Sequence, residues 1–285
     1  MPYTFFIVTA FVVAYALQLA AVFLSPGRKL DGANMGKAPG RLLVLCMLSP
    51  SMILLVFMAV GQVPLDWHAL GILPVRPAMW GVAFGVTVFY QGVTFFVLKK
   101  FATFPDFSVS EDGKWQFKGL ATIFGKAHNG SPWAYSLDIL GTIAIATLFT
   151  MPMAFGEELA WRGFLQPFLV AEFGPMWGIL LLGIIWGFWH LPINLAGLND
   201  TKNPKLTAFV FFIIGTISMS AVFGWLVLFT GSIWPAVVAH AANNTLQNFI
   251  VKLTPKVGNI RYMLVMSAVY AVFGGVFFGL IYITM

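Results

Sequence analysis

Charged residues are scarce in this chain of 285 residues. They make up 9% of the sequence, whereas hydrophobic residues make up 59%. Soluble domains usually carry about 25% charged residues, because their surfaces face water. The scarcity of charge therefore excludes an ordinary soluble fold and indicates that lipid is the main solvent.

Cysteine is almost absent as well. The single cysteine, Cys46, lies in an apolar run, which excludes a disulfide framework and a cysteine-based zinc site. A dense basic cluster is also missing, because the 16 lysines and arginines are spread over the connections between apolar runs. The net charge of +6 is therefore explained by basic residues that orient the chain in the membrane. We expect no nucleic-acid partner.

Long apolar runs are what the sequence has in abundance. They cover roughly 5–24, 42–61, 78–98, 136–165, 176–197, 206–229, 233–251 and 262–284. Each is close to or above the about 20 residues that a helix needs to cross a bilayer, and such runs are too long for barrel strands. No basic segment precedes the first run, which predicts a retained span rather than a signal peptide. We predict one all-α domain over 1–285, a polytopic integral membrane bundle of eight transmembrane helices.

The basic residues separate the two sides that eight spans would create. All but two of the 16 lie in the odd-numbered connections, and the exceptions are Arg76 and Arg162. Lysine and arginine are enriched on the cytoplasmic side of membrane proteins. The distribution therefore predicts that the odd-numbered connections are cytoplasmic and that both termini lie outside.

Three groups of polar residues interrupt the apolar runs of the second half. Ionisable side chains inside a span cost about 2.5 kcal/mol or more each, so a cluster of them is a functional candidate. In the first group, Glu158 and Arg162 share one helix face, whereas Glu157 points about 100° away. A paired Glu158 would stay ionised as an organiser, and an unpaired Glu157 suits a general base. The alternative is a structural ion pair, with Glu157 merely reaching the interface.

The second and third groups each contain a histidine. His190 is followed by Pro192, which loosens the nearby backbone hydrogen bonding, and a neutral histidine beside a carboxylate can orient a water. His240 and Asn244 lie one turn apart on one face, and imidazole and amide donors aimed at one point could form an oxyanion hole. Alternatively, these residues serve only in contacts between helices.

The three groups together supply the parts of a carbonyl hydrolase that lacks a covalent nucleophile: a base, a partner for its water and donors for an oxyanion. Zinc is the alternative, because two glutamates and two histidines can form a tetrahedral site. However, there is no His-Glu-x-x-His motif, and the adjacent Glu157 and Glu158 do not readily face one ion from a single helix. We therefore expect no metal and no other cofactor.

The same groups, taken in order, resemble the motifs of the CAAX protease and bacteriocin-processing (CPBP, Abi) family, to which Ras-converting CAAX endopeptidases belong. The motifs are Glu-Glu-x-x-x-Arg at 157–162, His-Leu-Pro-x-Asn at 190–194 and His-x-x-x-Asn at 240–244, and the resemblance covers about 135–250. The chain departs from the family at Trp186, where a phenylalanine usually stands four residues before the histidine.

The resemblance implies an eight-helix, metal-independent, glutamate-dependent intramembrane protease of a prokaryotic cell membrane. Its substrate would be a peptide or lipidated protein, with a prenylated CAAX sequence as one possibility. By motif position it implies these catalytic residues: Glu157 as base, Glu158 and Arg162 as its supports, His190 as the water-orienting partner, and His240 with Asn244 as oxyanion stabilisers. The alternatives are a non-enzymatic immunity or partner-binding membrane protein and, less favoured because no internal repeat is visible, a transporter.

Helix length places the polar residues unevenly across the bilayer. At 1.5 Å per residue, His240 would lie about 10 Å and Glu157 about 12 Å from the even-numbered side, and His190 about 21 Å from it. Such a site would open away from the predicted cytoplasmic side, although a CAAX protease should be reached from the cytosol. A reversed orientation, an exported substrate and bent helices are three explanations that the sequence leaves open.

Overall fold

The computed structural model describes residues 2–28, 37–100, 107–109, 114–117, 128–129, 132–197, 205–253 and 259–285. Helices dominate the described residues. They are α1 (Pro2–Phe23), α2 (Ala38–Ala59), α3 (Pro77–Lys99), α4 (Pro132–Glu158), α5 (Gln166–Trp189), α6 (Leu191–Leu195), α7 (Lys205–Thr230), α8 (Trp234–Leu253) and α9 (Asn259–Thr284). A π-helical segment, Leu159–Leu165, joins α4 to α5.

Six helices among the described residues are long and apolar enough to cross a membrane. They cover Tyr3–Phe23, Ala38–Ala59, Pro77–Leu98, Ser136–Trp189, Leu206–Thr230 and Met263–Thr284. The prediction of a multi-pass, helical integral membrane protein is therefore confirmed, whereas the predicted number of eight spans is not.

Two regions account for the difference between the six candidate spanning helices and the eight predicted spans. Ser136–Trp189 forms one helical stretch of 54 residues, about 80 Å long against a bilayer core of about 30 Å. The predicted spans 136–165 and 176–197 lie on either side of Gly174, where the backbone leaves the helical conformation (φ 77°, ψ 165°) just before Pro175. The other region is α8, which carries several polar residues and packs against α3, α4 and α7 instead of presenting a fully apolar surface.

A small antiparallel sheet lies in the connection between α3 and α4. Its strands are β1 (Phe107–Val109), β2 (Lys114–Phe117) and β3 (His128–Asn129), in the order β1-β2-β3. A transmembrane strand needs about 9–11 residues, and these strands are much shorter. The sheet therefore leaves the helical description of the membrane domain unchanged.

Close packing of α2 against α4 sets the position of the glutamates. A Cβ atom on Gly156 would lie 2.8 Å from Leu48 Cδ2 and 2.9 Å from Leu48 Cα, so only glycine fits without a shift. The Ser51 hydroxyl donates a hydrogen bond of 2.6 Å to the Gly156 carbonyl. Both α2 residues lie near the middle of that helix, so Glu157 is level with the centre of α2.

The backbone break at His190 is stabilised by a side chain from α1. Helix α5 ends at Trp189, and α6, which contains Pro192, begins one residue after His190. Gln18 Nε2 donates to the Trp189 carbonyl at 2.8 Å, and Gln18 Oε1 accepts from the Ile193 N–H at 3.3 Å. The looser backbone predicted near His190 is therefore present, and one amide side chain pairs with polar groups on both sides of it.

Candidate active site

A cavity of about 340 Å³ brings four of the six predicted site residues together. Glu157, His190, His240 and Asn244 all line it, although they come from three separate segments of the sequence. Glu158 and Arg162 are not among its lining residues and are completely buried. The predicted residues therefore divide into four that line the cavity and two that are buried outside its lining.

Glu158 and Arg162 form the ion pair that their spacing predicts. Arg162 Nη1 donates to Glu158 Oε1 at 3.0 Å, with no exposed surface on either side chain. The Arg162 guanidinium also lies over the rings of Trp186 and Phe223, at 4.6 and 5.2 Å from their centres. A buried cation needs such compensation, and here it comes from one carboxylate and two aromatic faces.

His240 shares the Glu158 carboxylate with Arg162. Its Nδ1 lies 2.8 Å from Glu158 Oε1, and because an ionised carboxylate only accepts, His240 Nδ1–H is the donor. Nε2 is then the ring nitrogen left for the cavity. In a neutral imidazole this Nε2 accepts a hydrogen bond, and it donates one only in the imidazolium form.

Glu157 has surroundings quite different from those of Glu158. Its Oε2 accepts a hydrogen bond of 2.7 Å from Trp186 Nε1, and the side chain is 1% exposed while lining the cavity. The indole therefore fixes one carboxylate oxygen and leaves Oε1 for another partner. The different environments predicted for the two adjacent glutamates are present in the structure.

Trp186 also connects Glu157 to His190. His190 Nδ1 lies 2.9 Å from the Trp186 carbonyl oxygen, which can only accept, so the proton is on Nδ1. The other ring nitrogen, Nε2, is then an acceptor in the neutral histidine. Asn194, the last residue of the second motif, donates from Nδ2 to the His190 carbonyl at 2.9 Å and so holds the backbone there.

The contact between Trp186 and Glu157 was not predicted from the sequence. In the sequence, Trp186 stands out only because a phenylalanine is usual at this position in the family that the motifs resemble. Its partner lies 29 residues away on another helix, and no local spacing rule connects the two positions. The chemistry of tryptophan does predict a partner of some kind, because a buried tryptophan usually finds an acceptor for its indole N–H.

Among the described residues, no group of three or more histidine, cysteine, aspartate or glutamate side chains is arranged to hold a metal ion. Glu158 Oε1 is shared by Arg162 and His240, while Glu157 Oε2 is engaged by Trp186. The zinc alternative thus finds no ready ligand set in this part of the chain.

Comparison with known protein families gives a match that covers this site. Residues 136–246 match the family described as "Type II CAAX prenyl endopeptidase Rce1-like". The matched segment runs from α4 into α8 and contains all six predicted site residues. No curated protein matches the chain. The resemblance inferred from the three motifs is confirmed over this segment.

Proposed function

We propose that this membrane protein is an intramembrane endopeptidase that uses a glutamate to activate water, because residues 136–246 match the Rce1-like family of type II CAAX prenyl endopeptidases. Its substrate is a peptide or lipidated protein, cleaved near an apolar or lipid-modified segment such as a prenylated CAAX sequence. The observation that carries the proposal is the convergence of Glu157, His190, His240 and Asn244 on one largely apolar cavity.

In the proposed reaction, Glu157 is the general base. Its Oε1 takes a proton from a water molecule while Trp186 holds Oε2, and His190 Nε2 accepts the second hydrogen of that water. The water oxygen adds to the scissile carbonyl to form a tetrahedral oxyanion. Glu157 then passes its proton to the departing amine, the C–N bond breaks, and the carboxylate is restored.

Asn244 and His240 stabilise the oxyanion in this scheme. The Asn244 NH₂ group is a donor in every charge state, whereas His240 Nε2 donates only from the imidazolium. Glu158 accepts from His240 Nδ1 at 2.8 Å and therefore stabilises a positive charge on that ring. The ion pair with Arg162 keeps Glu158 in place, so its role is to prepare His240 rather than to touch the substrate.

We further propose eight spans, with the cavity reached from the cytoplasmic side. The break at Gly174 divides the 54-residue helix into two spans, and α8 is a span enclosed by its neighbours. Cavity residues from α2, α7 and α9 lie in the parts of those helices next to the basic, odd-numbered connections. They include Leu43, Met47, Ala208, Met263 and Met266.

This access route differs from the one that helix lengths suggest. A depth based on sequence assumes straight spans that end at the predicted residues, and it places Glu157 close to the even-numbered side. In the structure, the helical stretch continues beyond Leu165 to the break at Gly174, about 25 Å along the helix from Glu157, and Glu157 is level with the middle of α2. Of the three explanations for the depth of the site, the cavity lining therefore favours bent helices. The orientation predicted from the basic residues is kept in this proposal.

A matched pair of glutamate variants tests the proposal. Purified protein is reconstituted in liposomes, and cleavage of a fluorogenic lipidated peptide is followed. Glu157→Gln keeps the side-chain shape but removes the base, so we expect kcat to fall roughly 100- to 10,000-fold. Glu172→Gln, at an exposed carboxylate near the start of α5, should leave the rate unchanged.

Two results would contradict this mechanism. Undiminished cleavage by folded Glu157→Gln protein would exclude Glu157 as the base. Loss of wild-type activity with a chelator, followed by recovery on adding zinc, would support the metal-dependent alternative instead.

A further inference from the structure

A network of polar side chains lies beside the catalytic cavity and takes no part in the proposed chemistry. It joins α3, α8 and α9 through Tyr90, Gln91, Asn243, Gln247 and Tyr270. Three donors converge on Asn243 Oδ1: Tyr90 OH at 2.8 Å, Gln91 Nε2 at 2.7 Å and Tyr270 OH at 3.1 Å. Such a concentration of hydrogen bonds among apolar helices fixes the side chains that it contains.

The network determines which atom Asn243 can offer to a ligand. Since Oδ1 is occupied by three donors, the free hydrogen-bonding group of the amide is Nδ2, which has no partner among the described residues. Asn243 is only 5% exposed, yet it lines the cavity. It therefore presents a fixed, unpaired donor there.

Gln247 presents a hydrogen-bond acceptor to the cavity, whereas Asn243 presents a donor. Its Nε2 donates to Tyr270 OH at 2.7 Å, which leaves Oε1 as an acceptor on a side chain that also lines the cavity. Asn243 and Gln247 are four residues apart on α8, so they are neighbours on one face. The cavity wall thus carries a donor and an acceptor side by side, both held by Tyr270.

We propose that Asn243 and Gln247 form a subsite that binds the backbone of an uncharged, extended peptide segment of the substrate. Asn243 Nδ2 donates to a backbone carbonyl, and Gln247 Oε1 accepts from a backbone N–H. An extended residue presents its N–H and C=O at the same edge, which matches this pair. The inference rests on the proposed peptidase function and adds how the substrate chain is held.

The chemistry of the wall favours peptide backbone over an anionic group. A carboxylate or phosphate is bound by donors and cations, whereas Gln247 supplies an acceptor and the described residues that line the cavity include no lysine or arginine. A peptide entering an apolar cavity loses water from its backbone groups, and each of them then needs a partner.

Distance along α8 places the subsite close to the scissile bond. His240 and Gln247 are seven residues apart, about 10 Å along the helix axis. An extended peptide advances about 3.3 Å per residue, so the subsite binds a residue within about three positions of the cleaved bond.

Ester-for-amide replacement in the substrate tests the contact directly. In a series of lipidated peptides, one backbone amide at a time is replaced by an ester, which removes one N–H. With the wild-type protein, we expect an ester at one position within three residues of the cleaved bond to lower kcat/KM roughly three- to tenfold. The effect should fall on KM, because the contact holds substrate and transition state equally.

Gln247→Met supplies the other half of the test. This variant should lose the same factor on the all-amide peptide, and the ester should have no further effect. Asn243→Asp keeps an acceptor for the three donors but removes the NH₂ group, so it should also raise KM. Gln166→Met changes a buried glutamine that does not line the cavity, and it should retain the full sensitivity to the ester.

The inference is overturned if Gln247→Met remains as sensitive to every ester as the wild type. The same series, measured as peptide binding to the Glu157→Gln protein by fluorescence anisotropy, gives a readout without turnover. A missing peptidase activity would therefore contradict the proposed function alone. An ester effect on binding that is equal with and without Gln247 would contradict the subsite alone.

Discussion

Trp186 contacts four of the six predicted site residues. Its indole N–H fixes Glu157, its carbonyl accepts from His190, and Arg162 lies over its ring. The ring also meets His240 edge-on, with 5.3 Å between ring centres. A phenylalanine, usual at this position in the family that the motifs resemble, would keep the ring contacts but not the donor. Glu157 is therefore oriented here by a donor that a phenylalanine at position 186 could not supply.

Replacing that donor should slow the reaction. In Trp186→Phe, the Glu157 carboxylate loses a hydrogen bond of a kind worth about 1.5–3 kcal/mol, and with it the fixed position of Oε2. We expect kcat on a fluorogenic lipidated peptide to fall roughly tenfold or more, with KM little changed. Trp225→Phe is the control, because Trp225 Nε1 has no hydrogen-bond partner among the described residues. Equal rates for the two variants would exclude a role for the indole N–H.

At the scale of the helices, two local features set the positions of Glu157 and Glu158. The close approach of α2 at Gly156 sets their depth, and the π-helix that follows places Arg162 back against Glu158. Segments of π-helix are rare overall, but those that occur are often found at functional sites. Their wider turn changes the direction of the side chains. The chain positions its ionic residues through the helix backbone and not through a loop.

Gly156→Ala should disturb this arrangement. The added Cβ would lie within 3 Å of the backbone of Leu48, so α2 and α4 must move apart and Glu157 must move with them. Because a displacement of about 1 Å at a catalytic group can cost roughly 100-fold in rate, we expect a loss of that order. Gly85→Ala in α3, where a Cβ would meet nothing within 4 Å, should keep full activity. Rates and melting temperatures of both purified variants check this, and an active Gly156→Ala protein would contradict it.

The molecule as a whole separates apolar and polar residues in the manner of a membrane protein. Large apolar side chains such as Phe89 and Val272 are about two-thirds exposed, with exposed fractions of 65% and 66%. Glu157, Glu158 and Arg162 are buried, as are His240 and Asn243 of α8. Lipid can cover the first set, while the second set contains ionic contacts within the bundle, such as those of Glu158 with Arg162 and His240.

Labelling of single cysteines tests the orientation. Cys46 is buried and is the single cysteine, so Cys46→Ala provides a background without thiols. In that background, Lys37→Cys should react with an impermeant maleimide only after the cells are permeabilised, because its connection is predicted to be cytoplasmic. Gln62→Cys, at an exposed position after α2, should react in intact cells. The reverse pattern would show that the charge-based orientation is wrong.

The sequence by itself determined the class of protein and the chemistry available to it. Apolar runs of span length follow from composition alone, because bilayer thickness fixes the length that a helix needs. The Glu158–Arg162 pair likewise follows from a spacing of four residues on one helix. The three motifs were also enough to predict the family that residues 136–246 match.

Only the tertiary structure decided which of these residues meet. The contacts of Glu157 with Trp186 and of Glu158 with His240 join separate helices, and no local spacing determines how such helices pack. The course of the helices is likewise set by tertiary contacts: the break at Gly174 divides one long helix, and the polar α8 is enclosed by its neighbours. Composition reports the preference of each segment for lipid, whereas the convergence on one cavity depends on packing between segments.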